Sequence, residues 1–154
     1  MDSIAVYFED MVPGEVVEGP SVIVEQQELI SFAECWDPMP FHVDERAGEA
    51  AFGGITAPGI YVLALKQRLI HELPLPHAVL ASFGYDEVRF HEPVRPGDRL
   101  TLLAEWVERK VSRSKPDRGI VTVRYSLRNQ SGVIVMSHLD TILVRRRSQG
   151  ECSA

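Results

Sequence analysis

The chain has 154 residues, 45% of them hydrophobic and 25% charged, which suits one globular domain with an ordinary core. Its formal net charge of −6 excludes sequence-independent binding to nucleic-acid phosphates, which needs a clustered positive face. Two cysteines, Cys35 and Cys152, are too few for a disulfide framework and fit a reducing cytoplasm.

The first residues carry no basic region, so no signal peptide is expected. No apolar run reaches the roughly 18–20 residues of a membrane span. Pro13-Gly14 marks a turn, and Val16-Val17 with Val22-Ile23-Val24 reads as a strand interrupted at Gly19-Pro20. Glu25–Cys35 changes to helical spacing through Leu29, Ile30, Phe32 and Ala33, and Cys35 reads as a small buried residue there. Asp44 caps a second short helix, which Gly53-Gly54 ends. Pro58-Gly59 opens a third helix through Leu73, stopped by Pro74. Its first two turns are apolar all round, so it is expected to be covered on most sides as the central helix.

The second half reads as strand. Ala78–Phe90 forms one long strand kinked at Gly84, and Pro93–Asp98 is a turn. Leu100–Val111 places Leu100, Leu102, Ala104 and Trp106 on one side. Ile120–Leu127 and Val133–Val144 flank a hairpin turn at Asn129–Gly132. This order predicts an α+β domain over residues 1–147, an antiparallel sheet curled around one apolar helix, with a disordered tail at 148–154. One helix cannot cover both faces of such a sheet, so apolar surface is left for a partner chain.

Between the first two helices lies Asp37-Pro-Met-Pro-Phe-His-Val-Asp44. Two prolines predict a stiff, non-helical loop. Asp37 and His42 on such a loop form a candidate acid/base pair aimed at one water. The plainer alternative is an Asp that caps backbone N–H groups and a His that fills space. Asp44 reads as a helix cap rather than a catalyst. Trp36 and Phe41 fit either an apolar pocket or the core. Arg109, Lys110, Arg113, Lys115 and Arg118 surround a charged turn, read as a solvated hairpin tip. His71, His77, His91 and His138 lack the converging spacing of a metal site, so none is expected.

Asp37-x-x-Pro40-x-His42-x-Asp44, Phe52-Gly53-Gly54-Ile55 and Ala57-x-Gly59 resemble the MaoC-like dehydratases, which include the (R)-specific enoyl-CoA hydratases. Val88-Arg89-Phe90, Pro93-Val94-x-Pro96-Gly97-Asp98 and Asn129-Gln130-x-Gly132 extend the resemblance over residues 8–146. Met39 stands where Asn is commoner in that family, and Pro58 where His is frequent. The resemblance implies a hotdog fold, a homodimer or dimer of dimers, and an acyl-CoA thioester site at the subunit interface. It implies a hydro-lyase that adds water to a trans-2-enoyl thioester through Asp37 and His42, with no cofactor beyond the substrate's coenzyme A. The N–H of Gly59, with Ile60 sharing the role, is then the candidate oxyanion donor at a helix N-terminus. Trp36 and Phe41 become candidates for the acyl pocket.

Two alternatives stand beside this reading. A thioesterase is disfavoured because Gly59–Leu65 carries no carboxylate. A non-catalytic acyl-thioester binding subunit draws its support from Met39 and Pro58.

Overall fold

A computed structural model describes residues 6–73 and 78–148. The expected stop at Pro74, His77, Cys152 and the tail from 149 onward lie outside the described residues. Strand β1 is Val16–Ile23, helices α1 to α4 are Gln26–Trp36, Pro40–Val43, Glu45–Phe52 and Gly59–Ile70, and strands β2 to β5 are Val79–Phe90, Arg99–Val111, Arg118–Arg128 and Ile134–Arg145. All five strands form one antiparallel sheet in the order β1-β3-β4-β5-β2. It curls around α4 in the hotdog arrangement.

Alternation decides which face meets the helix. Leu100, Leu102, Ala104 and Trp106 on β3 are at most 2% exposed, as their spacing predicts. Val121, Val123, Tyr125 and Leu127 on β4 are buried beside them. Register then sets Tyr125 opposite His138 and Val123 opposite Asp140. Gly84, at φ +139°, marks the kink in β2, where the pairing with β5 slips between Ser82 and Tyr85. The Pro-Gly-Asp turn is tied to the β4–β5 hairpin. Asp98 accepts from Arg95 N at 2.8 Å and from Gln130 Nε2 at 2.9 Å, and Gln130 Oε1 accepts from Arg99 N.

Two expectations need correction. Arg109 does not belong to a solvated tip: its guanidinium donates to the carbonyls of Phe8, Glu9 and Met11 and lies over the Phe8 ring. Cys35 is exposed rather than buried. Helix α4 buries Tyr61, Val62, Leu65, Leu69 and Ile70, as its apolar turns predict, while Ile60 is 46% exposed. No helix among the described residues is long and apolar enough to cross a membrane.

The residue least expected in the core is Lys66. It faces the sheet from the middle of α4 and is 0% exposed. Its Nζ donates to Tyr85 Oη and Gln67 Oε1, each at 3.2 Å, and stands 4.2 Å from the Tyr85 ring centre. Burial pulls its pKa down to about 8, partly opposed by the Asp140 carboxylate. A lysine with a folded pKa below its unfolded value binds fewer protons when folded. Stability therefore rises with pH between about 8 and about 10, by at most about 3 kcal/mol. Above that window Tyr61, pushed up to about 12 by burial, opposes the trend, because the unfolded tyrosine ionises first. Urea unfolding at stepped pH should show this rise. Lys66→Met should flatten it and be more stable at pH 7, since a buried charge is replaced by an apolar chain of similar volume.

Candidate active site

The site begins where α1 ends. Asp37 N donates to Ala33 O at 2.9 Å, and Pro38 prevents continuation. The segment that follows is not wholly a loop, contrary to the expectation from its prolines. Pro40 occupies the first position of the one-turn helix α2, where a missing N–H costs nothing. His42 therefore sits on a helical turn, with its N–H bonded to Met39 O at 2.9 Å. Asp44 is a cap: its carboxylate accepts from Ala47 N at 2.8 Å and starts α3.

After α3 the chain doubles back on itself. Gly54 N donates to Gly48 O at 3.1 Å, and the Arg95 guanidinium holds the carbonyls of Phe52 and Gly54. The return is tight because Gly48 has no side chain. A Cβ there would lie 2.8 Å from Ile55 N and 3.0 Å from the Gly54 carbonyl carbon. This doubled-back segment carries Thr56 to the His42 ring.

His42 Nδ1 lies 2.5 Å from Thr56 O, and the ring is also packed edge-on against Phe41. A carbonyl oxygen only accepts, so Nδ1 carries the hydrogen. In the neutral ring the Nε2 lone pair is then free. It faces Asp37 Oδ2 across 3.7 Å. That gap is too long for a direct hydrogen bond, yet one oxygen atom at ordinary hydrogen-bond distances can touch both groups. The His42 side chain is 10% exposed and that of Asp37 38%, so the imidazole is sheltered and the carboxylate is partly wet.

His42 borders a cavity of about 340 Å³. Its walls include Phe41, Phe52, Thr56, Gly59, Val62 and Phe90. Gly59 opens α4, and Pro58 O takes the N–H groups of Tyr61 and Val62. The N–H groups of Gly59 and Ile60 come before the first intrahelical bond. A Cβ on Gly59 would fall 2.6 Å from the Phe90 ring, so only glycine leaves that backbone open beside the aromatic.

The structure thus brings Asp37, His42, Phe41 and Gly59 to one region. Asp37 reaches it through His42 and is not on the cavity wall. Trp36 stands apart, 71% exposed at the end of α1, and lines neither pocket nor core. Ile60 points outward and only its backbone is near the helix start. Sequence reasoning missed Thr56, Phe52, Phe90 and Arg95 as parts of the site. A carbonyl leaves no signal in residue type. Phe90 was visible only as one residue of a strand motif.

Gly48→Ala tests the doubled-back segment. Backbone atoms must move to admit the methyl group, so stability should fall by about 1–3 kcal/mol despite the better helix former. The His42 ring nitrogens should also shift in the NMR spectrum as Thr56 moves. A gain in stability with unchanged ring signals would contradict this account.

The MaoC-like domain family model matches residues 8–129. The chain is 33% identical over 135 residues to YdeM of Bacillus subtilis, covering 86% of this chain and 94% of that protein. It is 37% identical over 90 residues to 3-hydroxyacyl-thioester dehydratase Z of Mycobacterium tuberculosis, covering 56% of this chain and 60% of that protein. The crystal structure of a MaoC-like dehydratase from Rhodospirillum rubrum matches with a TM-score of 0.86 at 33% identity, over 94% of this chain and 99% of that one. By a family match that spans most of its length, this chain belongs to the MaoC-like dehydratases.

Proposed function

We propose that the protein is an acyl-CoA hydro-lyase that reversibly hydrates a trans-2-enoyl thioester, or a branched relative, to an (R)-3-hydroxyacyl thioester. The observation that carries this reading is the 3.7 Å gap between His42 Nε2 and Asp37 Oδ2. Water in that gap donates one hydrogen to each group. Nε2 takes a proton as the water oxygen bonds to C3 of the substrate. The electron pair of the double bond moves toward the thioester oxygen. There the Gly59 N–H, with the positive end of α4, receives the charge, and the Ile60 N–H assists. The enolate then regains at C2 the proton held on Nε2, and both side chains return to their starting states. Dehydration is the same path reversed. The reaction needs no cofactor beyond the coenzyme A of the substrate. Family membership supports hydration or dehydration of acyl thioesters in general, and the similarity to a 3-hydroxyacyl-thioester dehydratase supports the substrate class.

Crotonyl-CoA turnover tests the reading. The enoyl absorbance should fall without release of free thiol. Asp37→Asn and His42→Ala should each lower kcat/KM by about 10²–10⁴ with the fold intact, the range expected for a lost acid/base group. Substantial activity left in either variant would remove the mechanism, and thiol release would indicate a thioesterase.

The reading also includes a homodimer. Strand β2 is an edge of the sheet, and on it Leu80, Phe83, Tyr85 and Phe90 are 36–62% exposed. An exposed apolar edge is a template for pairing with another strand. Sedimentation should give a dimer, and Phe83→Glu should shift it to monomer at micromolar concentration. A monomeric wild-type protein would rule the dimer out.

A further inference from the structure

Helix α4 and strand β2 frame two cavities, not one. The first, beside His42, is bounded by Gly59 and Val62 on the helix and Phe90 on the strand. The second, about 230 Å³, is bounded by Gln67 and Ile70 on the helix and by Val79, Ser82 and Tyr85 on the strand. The numbers rise along one element as they fall along the other. The two cavities therefore lie toward opposite ends of the same helix–strand pair. Lys66 lies between them on the helix and joins Tyr85, on the near wall of the second cavity, Nζ to Oη at 3.2 Å.

Several contacts hold this bridge in place. Gln67 Oε1 accepts from both Lys66 Nζ and Tyr85 Oη, each at 3.2 Å. The Tyr85 ring lies 4.5 Å from the His138 ring, and Lys66 Nζ stands 5.7 Å from the Tyr125 ring centre. Beyond the bridge the strand wall of the second cavity mixes Val79 and Ile142 with Ser82 and Asp140. There Asp140, 5% exposed, accepts from Ser82 Oγ at 2.6 Å. An alkyl tail that passed the bridge would leave a buried ammonium short of a partner and then face a buried carboxylate.

We propose that the Lys66–Tyr85 bridge is a partition that confines the acyl chain to the cavity beside Gly59 and so selects short acyl groups. This rests on the acyl-thioester reading above, with the thioester oxygen at the start of α4. Seven residues of helix put Lys66 about 10 Å along the axis from Gly59. A butyryl chain ends well short of that distance, and a dodecanoyl chain runs past it.

Calorimetric titration with butyryl-CoA and with dodecanoyl-CoA, both saturated and unreactive, tests the partition. The long chain is kept below its micelle concentration. The wild type should bind butyryl-CoA more tightly. Lys66→Ala/Tyr85→Ala joins the two cavities and should move the affinity ratio at least tenfold toward dodecanoyl-CoA. Lys66→Met keeps the space filled and should retain the short-chain preference. Should the double variant fail to fold, Tyr85→Ala alone decides by the same ratio. Wild-type protein that binds dodecanoyl-CoA as tightly as butyryl-CoA would overturn the proposal. So would a folded, opened variant whose ratio moves less than tenfold. Turnover of crotonyl-CoA is read separately. A selective binder that does not hydrate crotonyl-CoA would end the hydratase reading and leave the partition standing. A hydratase without chain-length selectivity would do the opposite, and protein that binds neither thioester would sink both.

Discussion

The bond from His42 Nδ1 to the Thr56 carbonyl is the constraint on which the site depends. It is made to a group that only accepts, so it settles which ring nitrogen holds the hydrogen. It also turns the other nitrogen toward Asp37. Much of the local sequence between Asp37 and Thr56 serves to make it. Pro40 starts a turn of helix that lifts the imidazole, and Asp44 caps the next helix in a fixed direction. Gly48 lets the chain fold back closely, and Arg95 ties the fold-back down through two carbonyls. Remove any one of these and the imidazole loses a neighbour that fixes its orientation. The catalytic reading thus rests less on two titratable side chains than on the backbone that aims one of them.

Helix α4 is asked to do two things that conflict with packing. On the proposed hydratase reading its first turn must stay uncovered enough to offer N–H groups to a ligand, and Gly59 permits this because it carries no side chain to run into the Phe90 ring. Its middle buries an amine among tyrosines, where an apolar residue would be more stable. A lysine held there at an energetic cost, with one hydrogen bond to Tyr85 on the facing strand and one to its helix neighbour Gln67, makes more sense as a divider of space than as part of the core. Tyr85 and Gln67 hold it in that place, each through a hydrogen bond to its amine.

The strands were legible because alternation is a short-range signal. Leu100, Leu102, Ala104 and Trp106 share a face by counting alone, and the kink at Gly84 follows from the lack of a Cβ. The capping role of Asp44 was equally local. What failed was decided at a distance. Pro40 read as a helix breaker because its place at the start of a turn depends on where α1 stops. Lys66 drew no reading from the sequence, because the groups that meet its amine, such as Tyr85, sit on other elements. Arg109 belonged to a run of charges by sequence, and only the folded N-terminal segment supplies the three carbonyls it holds. Trp36 is the converse case. An aromatic residue beside the Asp/His stretch suggested a pocket wall, but the helix phase points it outward.

Phe90 joins the edge of the sheet to the chemistry. It is 51% exposed on β2, and its ring also closes the cavity against Gly59. Whatever covers β2 therefore also covers the outer wall of the site. Excluding water there would strengthen the attraction between a developing oxyanion and the α4 N–H groups, because the field of a helix end is weakened by solvent. Exposed apolar residues on an edge strand are a liability for a monomer. Beside this cavity the same residues give association a second consequence, because a covered edge leaves His42 facing a drier space. On the proposed hydratase reading, burial of β2 and protection of the water between Asp37 and His42 are one structural requirement, met by the same aromatic ring.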